Sequence, residues 1–411
     1  MSRKISWYYH RERKGLLRFL TNDEICFSYS LSKEFPRRKF VSIVLDNLVG
    51  DLDDIQASLT QIRQRVKPEC RVIIIYYNHL WEPILKLASI VGLRTRHYEQ
   101  NWLDEIDIIN FLQLAGFEYI STHRQTLIPI YVPILSDWVN KFVASLPLLN
   151  RLCLNIAVVA RPASTPLPQL DVSVIVPARN EAGNIRRLVR ELPKFGRRLE
   201  LIFVEGHSRD DTWAKICAEV ERAKVGKKIV IRAFQQKGLG KADAVRLGFD
   251  KAKGKLLMIL DADLSVSPKD MFKFYEAYRT GKGEFINGSR LIYPMEQQAM
   301  RMLNKFSNKV FGMIFSWILK QHFKDTLCGT KVISRENYCK IVKLRRQWGD
   351  FDPFGDFELI FGAVKLNLKV VELPVRYRQR TYGTTNISRF KHGWLLLKMT
   401  FNAYRRFCLG I

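Results

Sequence analysis

Asp261 and Asp263 stand one residue apart at the end of the apolar run Lys255-Leu256-Leu257-Met258-Ile259-Leu260. A continuous apolar run of this length, preceded by Gly254, reads as a strand buried on both faces. Ligands of open α/β sheets bind beyond the carboxyl ends of the strands, which is where these two carboxylates project. Side chains of like charge so close together repel unless something positive lies between them. A hard divalent cation carrying phosphate oxygens meets that need. Taken alone, the tripeptide is equally an acidic surface turn, so its neighbours in the chain must decide.

Two other strand ends carry suitable chemistry. Residues 172–176 are a strand running into Pro177-Ala178-Arg179-Asn180-Glu181 and then a helix. Such a turn presents backbone N–H groups at a helix N-terminus, a natural place for a nucleotide. Residues 199–204 are a second strand, followed by Glu205-Gly206-His207-Ser208-Arg209-Asp210-Asp211. There an acidic group can take a ribose or base N–H, and Ser208 or Asp210 can cap the next helix. Each segment by itself is also an ordinary capped turn.

These turns need a scaffold, and the surrounding pattern supplies one. Helical stretches at 181–192, 211–224, 241–252 and 268–279 alternate with strand runs at 172–176, 199–204, 229–234, 255–260 and 284–287. Alternation with short connections means a mostly parallel sheet flanked by helices. Before it, Pro162, Pro166 and Pro168 stiffen a linker over residues 161–170. The N-terminal part repeats the theme in shorter form, with strands at 40–45, 71–77 and 117–121 and helices at 55–65, 81–91 and 104–116.

Composition narrows the partners. The 411 residues are 47% hydrophobic and carry a net charge of +27, from 67 basic and 40 acidic side chains. Such an excess calls for an anionic partner: nucleic acid, membrane or phosphorylated substrate. Nucleic acid is not expected, because no groove-reading motif accompanies the charge. The seven cysteines have no CxxC spacing, which fits a reducing cytosol and neither a disulfide framework nor a zinc site. No stretch reaches the roughly 18–20 apolar residues of a spanning helix. The expectation is a cytoplasmic protein, peripheral on the inner face of a membrane.

In order along the chain, the turns after the first, second and fourth strands resemble those of the family 2 glycosyltransferases with the GT-A nucleotide-diphospho-sugar transferase fold. Lys237-Gly238-Leu239-Gly240-Lys241-Ala242, Gly288-Ser289-Arg290, Asp325-Thr326-Leu327-Cys328-Gly329-Thr330-Lys331, Gly355-Asp356-Phe357-Glu358 and Arg378-Gln379-Arg380-Thr381-Tyr382-Gly383-Thr384-Thr385 follow in the same order. This set is similar to the dolichol-phosphate mannosyltransferase branch and its bacterial polyprenyl-phosphate relatives, over roughly residues 170–400. The resemblance implies that Pro177, Ala178, Asn180, Glu181, Glu205, Lys237 and Lys241 bind the nucleotide. It implies Mg²⁺ or Mn²⁺ on Asp261 and Asp263, phosphate groups facing Arg290, Lys331 and Arg380, and Asp356 beside the reacting sugar. Two positions depart from the family pattern. Gly206 replaces a second acidic residue, and Ser265 stands where relatives often carry a metal-ligating Gln.

The N-terminal part resembles the second half of a class I SAM-dependent methyltransferase, through Ile43-Val44-Leu45-Asp46-Asn47-Leu48, Tyr77-Asn78, Asn101-Trp102 and Gly116-Phe117. Residues 1–50 contain only Gly15 and Gly50, so the glycine-rich turn after a first strand is missing, as is the acidic residue that holds the ribose. A partial Rossmann-like domain without SAM follows.

At the other end, residues 376–411 hold eight basic side chains and no acidic one, interleaved with Trp394, Leu397, Phe401 and Phe407. That composition suits a helix lying in an anionic membrane interface. Residues 310–319 are equally a core helix or a second membrane contact. The expected organisation is residues 1–160, linker 161–170, transferase 171–388 and interface segment 389–411. The expected activity is inverting transfer from a nucleotide sugar to a polyprenyl phosphate. Rivals are a hydroxyl acceptor, a methyltransferase–glycosyltransferase fusion and an inactive membrane scaffold.

Overall fold

A computed structural model describes residues 3–20, 26–29, 42–92, 100–226, 229–293, 302–348, 355–380, 382 and 389–410. Of the motif residues above, Thr381 and Gly383 to Thr385 lie outside the described residues, as do residues 40 and 41 of the first expected strand. The chain divides into two compact units, residues 1–163 with 402–411, and residues 164–401.

The first unit contains α1 (Arg3–Leu20), β1 (Cys26–Tyr29), β2 (Ser42–Asp46), α2 (Ile55–Arg65), β3 (Arg71–Tyr77), α3 (Glu82–Ile90), α4 (Glu105–Leu114), β4 (Phe117–Gln125), α5 (Leu135–Trp138) and β5 (Asn155–Pro162). Its sheet runs β1-β2-β3-β5-β4, with β1, β2 and β3 parallel and β5 antiparallel to both neighbours. Both faces of β3 are buried. Val72 and Ile74 belong to one apolar cluster with α2 and α4, and Ile73 and Ile75 to another with Leu16 and Leu20 of α1. The helix starts are capped locally. Asp54 accepts from the Ala57 N–H at 2.8 Å, and Asp104 and Asp107 form a reciprocal capping box.

β5 corrects the reading of residues 161 and 162 as linker. Arg161 is 2% exposed and donates through Nε and Nη2 to Glu118 Oε2 at 2.9 and 2.7 Å, and Pro162 closes the register opposite Phe117. A side chain held by a cross-strand ion pair keeps the strand going past the point where composition turns linker-like.

The second unit contains β6 (Asp171–Ala178), α6 (Ala182–Glu191), β7 (Arg198–Glu205), α7 (Thr212–Gly226), β8 (Val230–Gln235), α8 (Lys241–Lys251), β9 (Leu256–Ile259), α9 (Met271–Arg279) and β10 (Phe285–Ser289). It continues with α10 (Met302–Leu319), β11 (Lys331–Ser334), α11 (Arg335–Trp348), α12 (Phe357–Lys365), β12 (Val370–Pro374) and most of α13 (Arg389–Phe407). Its sheet order is β12-β10-β11-β9-β6-β7-β8. β6, β7, β8 and β9 are parallel, as are β10 and β12, while β11 is antiparallel to β9 and β10. The sheet is therefore mixed rather than simply parallel. The expected strands and helices between 172 and 287 all form, displaced by at most three residues at their ends, the largest shift being the helix expected from residue 268, which begins at Met271.

All four residues of β9 are fully buried, each contributing about 1.5–3 kcal/mol by leaving water. Pairing continues through the Leu260 N–H, which donates to Ile175 O at 3.0 Å, so Asp261 is the first residue beyond the sheet. In α10, Phe315, Ile318 and Leu319 are buried and Met313 is exposed, so its end is a core helix. α13 is two-sided. Leu396, Met399 and Ala403 are buried, while Trp394, Leu397 and Phe401 face solvent. Among the described residues no helix is long and apolar enough to cross a membrane.

Candidate active site

The sheet has a switch point between β6 and β9 at which chemistry can collect. From β6 the chain builds outward through β7 and β8, then returns to lay β9 against the other side of β6. A crevice opens at the carboxyl ends of two parallel strands whose connections leave in opposite directions. The turn after β6 and the turn after β9 flank it.

The turn after β6 is fixed by the one after β7. Asn180 adopts a left-handed φ of 56°. Its N–H donates to Ser208 Oγ at 3.0 Å, and its Oδ1 accepts from the Arg209 N–H at 2.7 Å. The Glu181 N–H donates to Thr212 Oγ1 at 2.8 Å and the Ala182 N–H to Asp210 Oδ2 at 3.3 Å. Glu205, 3% exposed, accepts from the Ser208 N–H and from Gln235 Nε2. Both strand ends therefore hold polar groups at the crevice, while Lys237 stands exposed between β8 and α8.

Beyond β9, both acidic side chains meet a cation. Lys241, the first residue of α8, places Nζ 2.7 Å from Asp261 Oδ1. Arg380 places Nη2 2.7 Å from Asp263 Oδ2. Burial works to raise the Asp261 pKa, but Lys241, Lys331 and Arg290 outweigh it and hold the carboxyl below its usual range. Burial likewise works against the Lys241 charge, and Asp261, Asp356 and Asp263 reverse that and hold it above the usual lysine range. Ser265 donates to Asp263 Oδ1 through Oγ at 2.6 Å and through N at 3.0 Å. The segment after β12 docks on this turn through the Arg378 N–H on Ser265 O at 2.9 Å, and on the turn after β7 through Tyr382 OH on Asp210 Oδ2 at 3.2 Å. Leu264 has a left-handed φ of 56°, strain of the kind that collects at functional turns.

β10, β11 and α12 complete the surround. Arg290 donates through Nε and Nη2 to Asp325 at 2.7 and 2.8 Å, a bidentate pair whose carboxylate is fully buried. Lys331 Nζ is 2.9 Å from Asp356 Oδ1, with both residues buried. Asp356 sits at the N-cap of α12, and Glu358 just inside the helix is gripped by Arg246 and Arg345. A Cβ at Gly329 would meet Asp261 Oδ2 and Lys241 Nζ, so any larger residue there would have to displace that ion pair. Gly355 has φ 70° and passes against the Ala242 backbone, where a Cβ would come to 2.8 Å.

The structure thus brings together Asn180, Glu181 and Glu205 on one side, and Lys241, Asp261, Asp263 and Arg380 on the other. Pro177 and Ala178 end β6 beneath them, and Lys331 with Asp356 forms a neighbouring pair. Arg290 acts on Asp261 through its charge and touches Asp325 directly. Sequence reasoning passes over Asp325 as a partner for Arg290, and over Glu372, which accepts from the Asp325 N–H at 3.1 Å. The signal for Asp325 is its place at the head of the Asp325–Lys331 motif.

The carboxylates suit a divalent cation of one kind. Among the described residues no three His, Cys, Asp or Glu side chains cluster as a ready-made metal cage. Asp261 and Asp263 nevertheless stand one residue apart, each facing a cation. Two carboxylates completed by substrate phosphate oxygens are the usual provision for Mg²⁺. Ser265 bonds to Asp263 through both Oγ and N.

Residues 173–342, which hold both acidic residues and Lys241, Arg290 and Lys331, match glycosyl transferase family 2. They form a family 2 glycosyltransferase domain. Similar curated proteins include Glycosyltransferase AglD of Haloferax volcanii, 28% identical over 237 residues, covering 55% of this chain and 36% of that protein. A dolichol-phosphate mannosyltransferase of Pyrococcus furiosus is 36% identical over 223 residues, covering 53% of this chain and 59% of its own length. The chain thus spans about a third of the first relative and under two thirds of the second. Among solved structures, glucosyl-3-phosphoglycerate synthase from Mycobacterium tuberculosis aligns with a TM-score of 0.41 at 15% identity, covering 58% of this chain and 80% of that one.

One property of the glycosyltransferase domain can be read without substrate. Burial raises Glu181 to about 7; Asn184 opposes the shift through its hydrogen bond, and the Asp263 charge adds to it. The folded state then binds this proton more tightly than the unfolded chain, so stability falls as pH rises from about 4.5 to about 7. Glu181→Gln, which can keep the Asn184 contact, should flatten that slope in urea melts between about pH 5 and about pH 7.5. Glu372, also raised to about 7 by burial, should preserve the remainder. A slope identical to wild type would show that Glu181 does not titrate there.

Proposed function

We propose that the chain is an inverting, metal-dependent GT-A glycosyltransferase moving a sugar from a nucleotide diphosphate to a polyprenyl phosphate at the inner face of a membrane. The observation that carries this reading is the pairing of Asp261 with Lys241 and of Asp263 with Arg380, with Lys331 and Arg290 close behind. Lys241 and Arg380 each face one of the two carboxylates, while Lys331 and Arg290, held by Asp356 and Asp325, add their charge from behind, an arrangement suited to two phosphorylated molecules that would otherwise repel each other. The similarity to dolichol-phosphate mannosyltransferase and to dolichyl-phosphate beta-glucosyltransferase, proteins named for a lipid phosphate, supports that acceptor.

In this reading Asn180, Glu181 and Glu205 receive the nucleoside at the ends of β6 and β7. Mg²⁺ or Mn²⁺ held by Asp261 and Asp263 would supply charge stabilisation to the departing diphosphate. Lys241 and Arg380 turn from the carboxylates to phosphate oxygens as substrate enters, so the site exchanges one set of ion pairs for another. Lys331 and Arg290 lower the cost of bringing in the acceptor anion. A phosphomonoester with a second pKa near ~6 is largely dianionic at neutral pH and attacks without a general base. Asp356 then orients Lys331 beside the sugar. The exposed face of α13, with Lys398, Arg405 and Arg406 along a helix that also presents Trp394 and Phe401, supports residence on an anionic leaflet.

The test is mass spectrometry of lipid extracts after incubating the full chain with polyprenyl phosphate and a panel of GDP- and UDP-sugars. A sugar-phosphoryl-polyprenol is the expected product. Transfer only to a sugar hydroxyl would replace the acceptor in this reading and make Asp356 the candidate base.

For the first unit we infer a partial Rossmann-like domain without SAM chemistry. Its β2 ends in Asp46, which is ion-paired to Arg13 rather than open to a ribose. Isothermal titration with SAM should give no heat of binding, and micromolar affinity would overturn the inference.

A further inference from the structure

The segment joining β4 to β5, residues 126–154, is built inside out. Its polar side chains Ser136, Asn140 and Asn150 are buried and bond to its own backbone. Asn140 Oδ1 accepts from the Leu127 and Ile128 N–H groups, both at 2.8 Å. Ser136 Oγ donates to Ile130 O at 2.6 Å and accepts from the Val132 N–H at 2.8 Å. Asn150 Nδ2 donates to Ala144 O at 2.7 Å. Its apolar side chains point the other way, with Ile134 85%, Leu148 79%, Trp138 54% and Ile130 51% exposed. A loop facing water has the reverse arrangement. Ile134 is also held at φ 65°, a conformation that β-branched residues avoid, and it is among the most exposed apolar side chains of the unit.

Helix α3 adjoins this segment and shares its character. None of its residues is buried, and Ile84, Leu87 and Ile90 are 55%, 61% and 67% exposed. Its foot is fastened to the end of the segment. Trp81 Nε1 donates to Leu152 O at 2.8 Å, and Asn78 Nδ2 to Arg151 O and Cys153 O at 2.8 and 2.9 Å.

Charge identifies what covers this face. Within the segment Lys141 and Arg151 are exposed, and Asp137 is paired to Arg11. Ser145 Oγ lies 2.7 Å from Tyr404 OH, which brings the basic end of α13, with Arg405 and Arg406, to the same segment. Apolar side chains fringed by cations, with Trp81, Trp138 and Tyr131 among them, match the layered chemistry of an anionic lipid surface. A backbone satisfied by its own side chains is what a medium poor in water demands. We propose that the face formed by residues 126–154 and α3 inserts into the interface of an anionic bilayer. The inference stands on the first unit alone and does not rest on the sugar acceptor.

The test uses the full chain with vesicles of phosphatidylcholine containing about 30% phosphatidylglycerol, compared with phosphatidylcholine alone. Ile134→Ser with Leu148→Ser should lower the partition coefficient on the anionic vesicles by about tenfold or more at an unchanged thermal midpoint, since both side chains are already in solvent. Brominated lipid should quench tryptophan fluorescence in the wild type and quench less in Trp138→Phe. Equal partitioning of the double variant and wild type would overturn the proposal. So would a vesicle-free wild type that sediments as a dimer and a double variant that sediments as a monomer, because the face would then join two copies of the chain. Equal binding to both vesicle types would remove the anionic requirement.

Discussion

Asp263→Ala is expected to lower turnover by about 10³-fold or more while the sheet stays folded. The carboxylate is 6% exposed and has two roles, accepting from Ser265 and facing Arg380. Alanine removes both and leaves the Ser265 donors unpaired, a stability cost of about 1–3 kcal/mol. Asp263→Asn separates the two roles, because its amide oxygen still accepts from Ser265 but carries no charge. If charge at this position organises the diphosphate, Asp263→Asn should be nearly as inactive as Asp263→Ala and more stable. Chelation of the wild type should abolish transfer, and Mn²⁺ affinity followed by electron paramagnetic resonance should fall in both variants. Wild-type turnover in the Asp263→Asn variant would remove Asp263 from the reaction.

The readability of Asp263 in the sequence has a physical basis, as does the obscurity of its partners. β9 is a short strand buried on both faces, so its residues form an unbroken apolar run and the residues that follow it stand out. The turns after β6 and β7 are readable for the same reason. Lys241 and Arg380 are recognisable as cations, but the first pairs with a carboxylate 20 positions away and the second with one 117 positions away, a matter of tertiary placement that no local pattern encodes.

β11 has no such signature. Its four residues begin with a lysine, and that lysine is buried only because Asp356, from another element, neutralises it. The same limit applies to residues 126–154. Only the inward hydrogen bonds of Ser136, Asn140 and Asn150 show that the apolar side chains must face outward. The proline at the end of β5 suggests a linker, although Arg161 carries the strand through to it.

Lys331→Met should produce the largest loss of stability among the site variants. The ammonium is completely buried against Asp356, with a second hydrogen bond to Cys328 O. Methionine fills the volume but strands a carboxylate in the interior, which costs about 3–5 kcal/mol. For a unit of this size that corresponds to a midpoint lowered by roughly 6–20 °C. Asp356→Leu combined with Lys331→Met removes both charges and should recover most of the stability, because a buried pair replaced by apolar groups is often neutral. Calorimetry on the two single variants and the double variant measures the coupling directly.

Activity should not recover with stability. If Lys331 attracts the acceptor phosphate, the double variant remains impaired and its KM for polyprenyl phosphate rises at fixed nucleotide sugar. Asp356→Asn isolates the remaining question, since it keeps an acceptor for Lys331 while removing any base. With a dianionic lipid phosphate as nucleophile, its pH–rate profile should keep the wild-type rise near ~6, which belongs to the acceptor. Loss of that rise together with a collapse of turnover would assign proton abstraction to Asp356 and a hydroxyl to the acceptor.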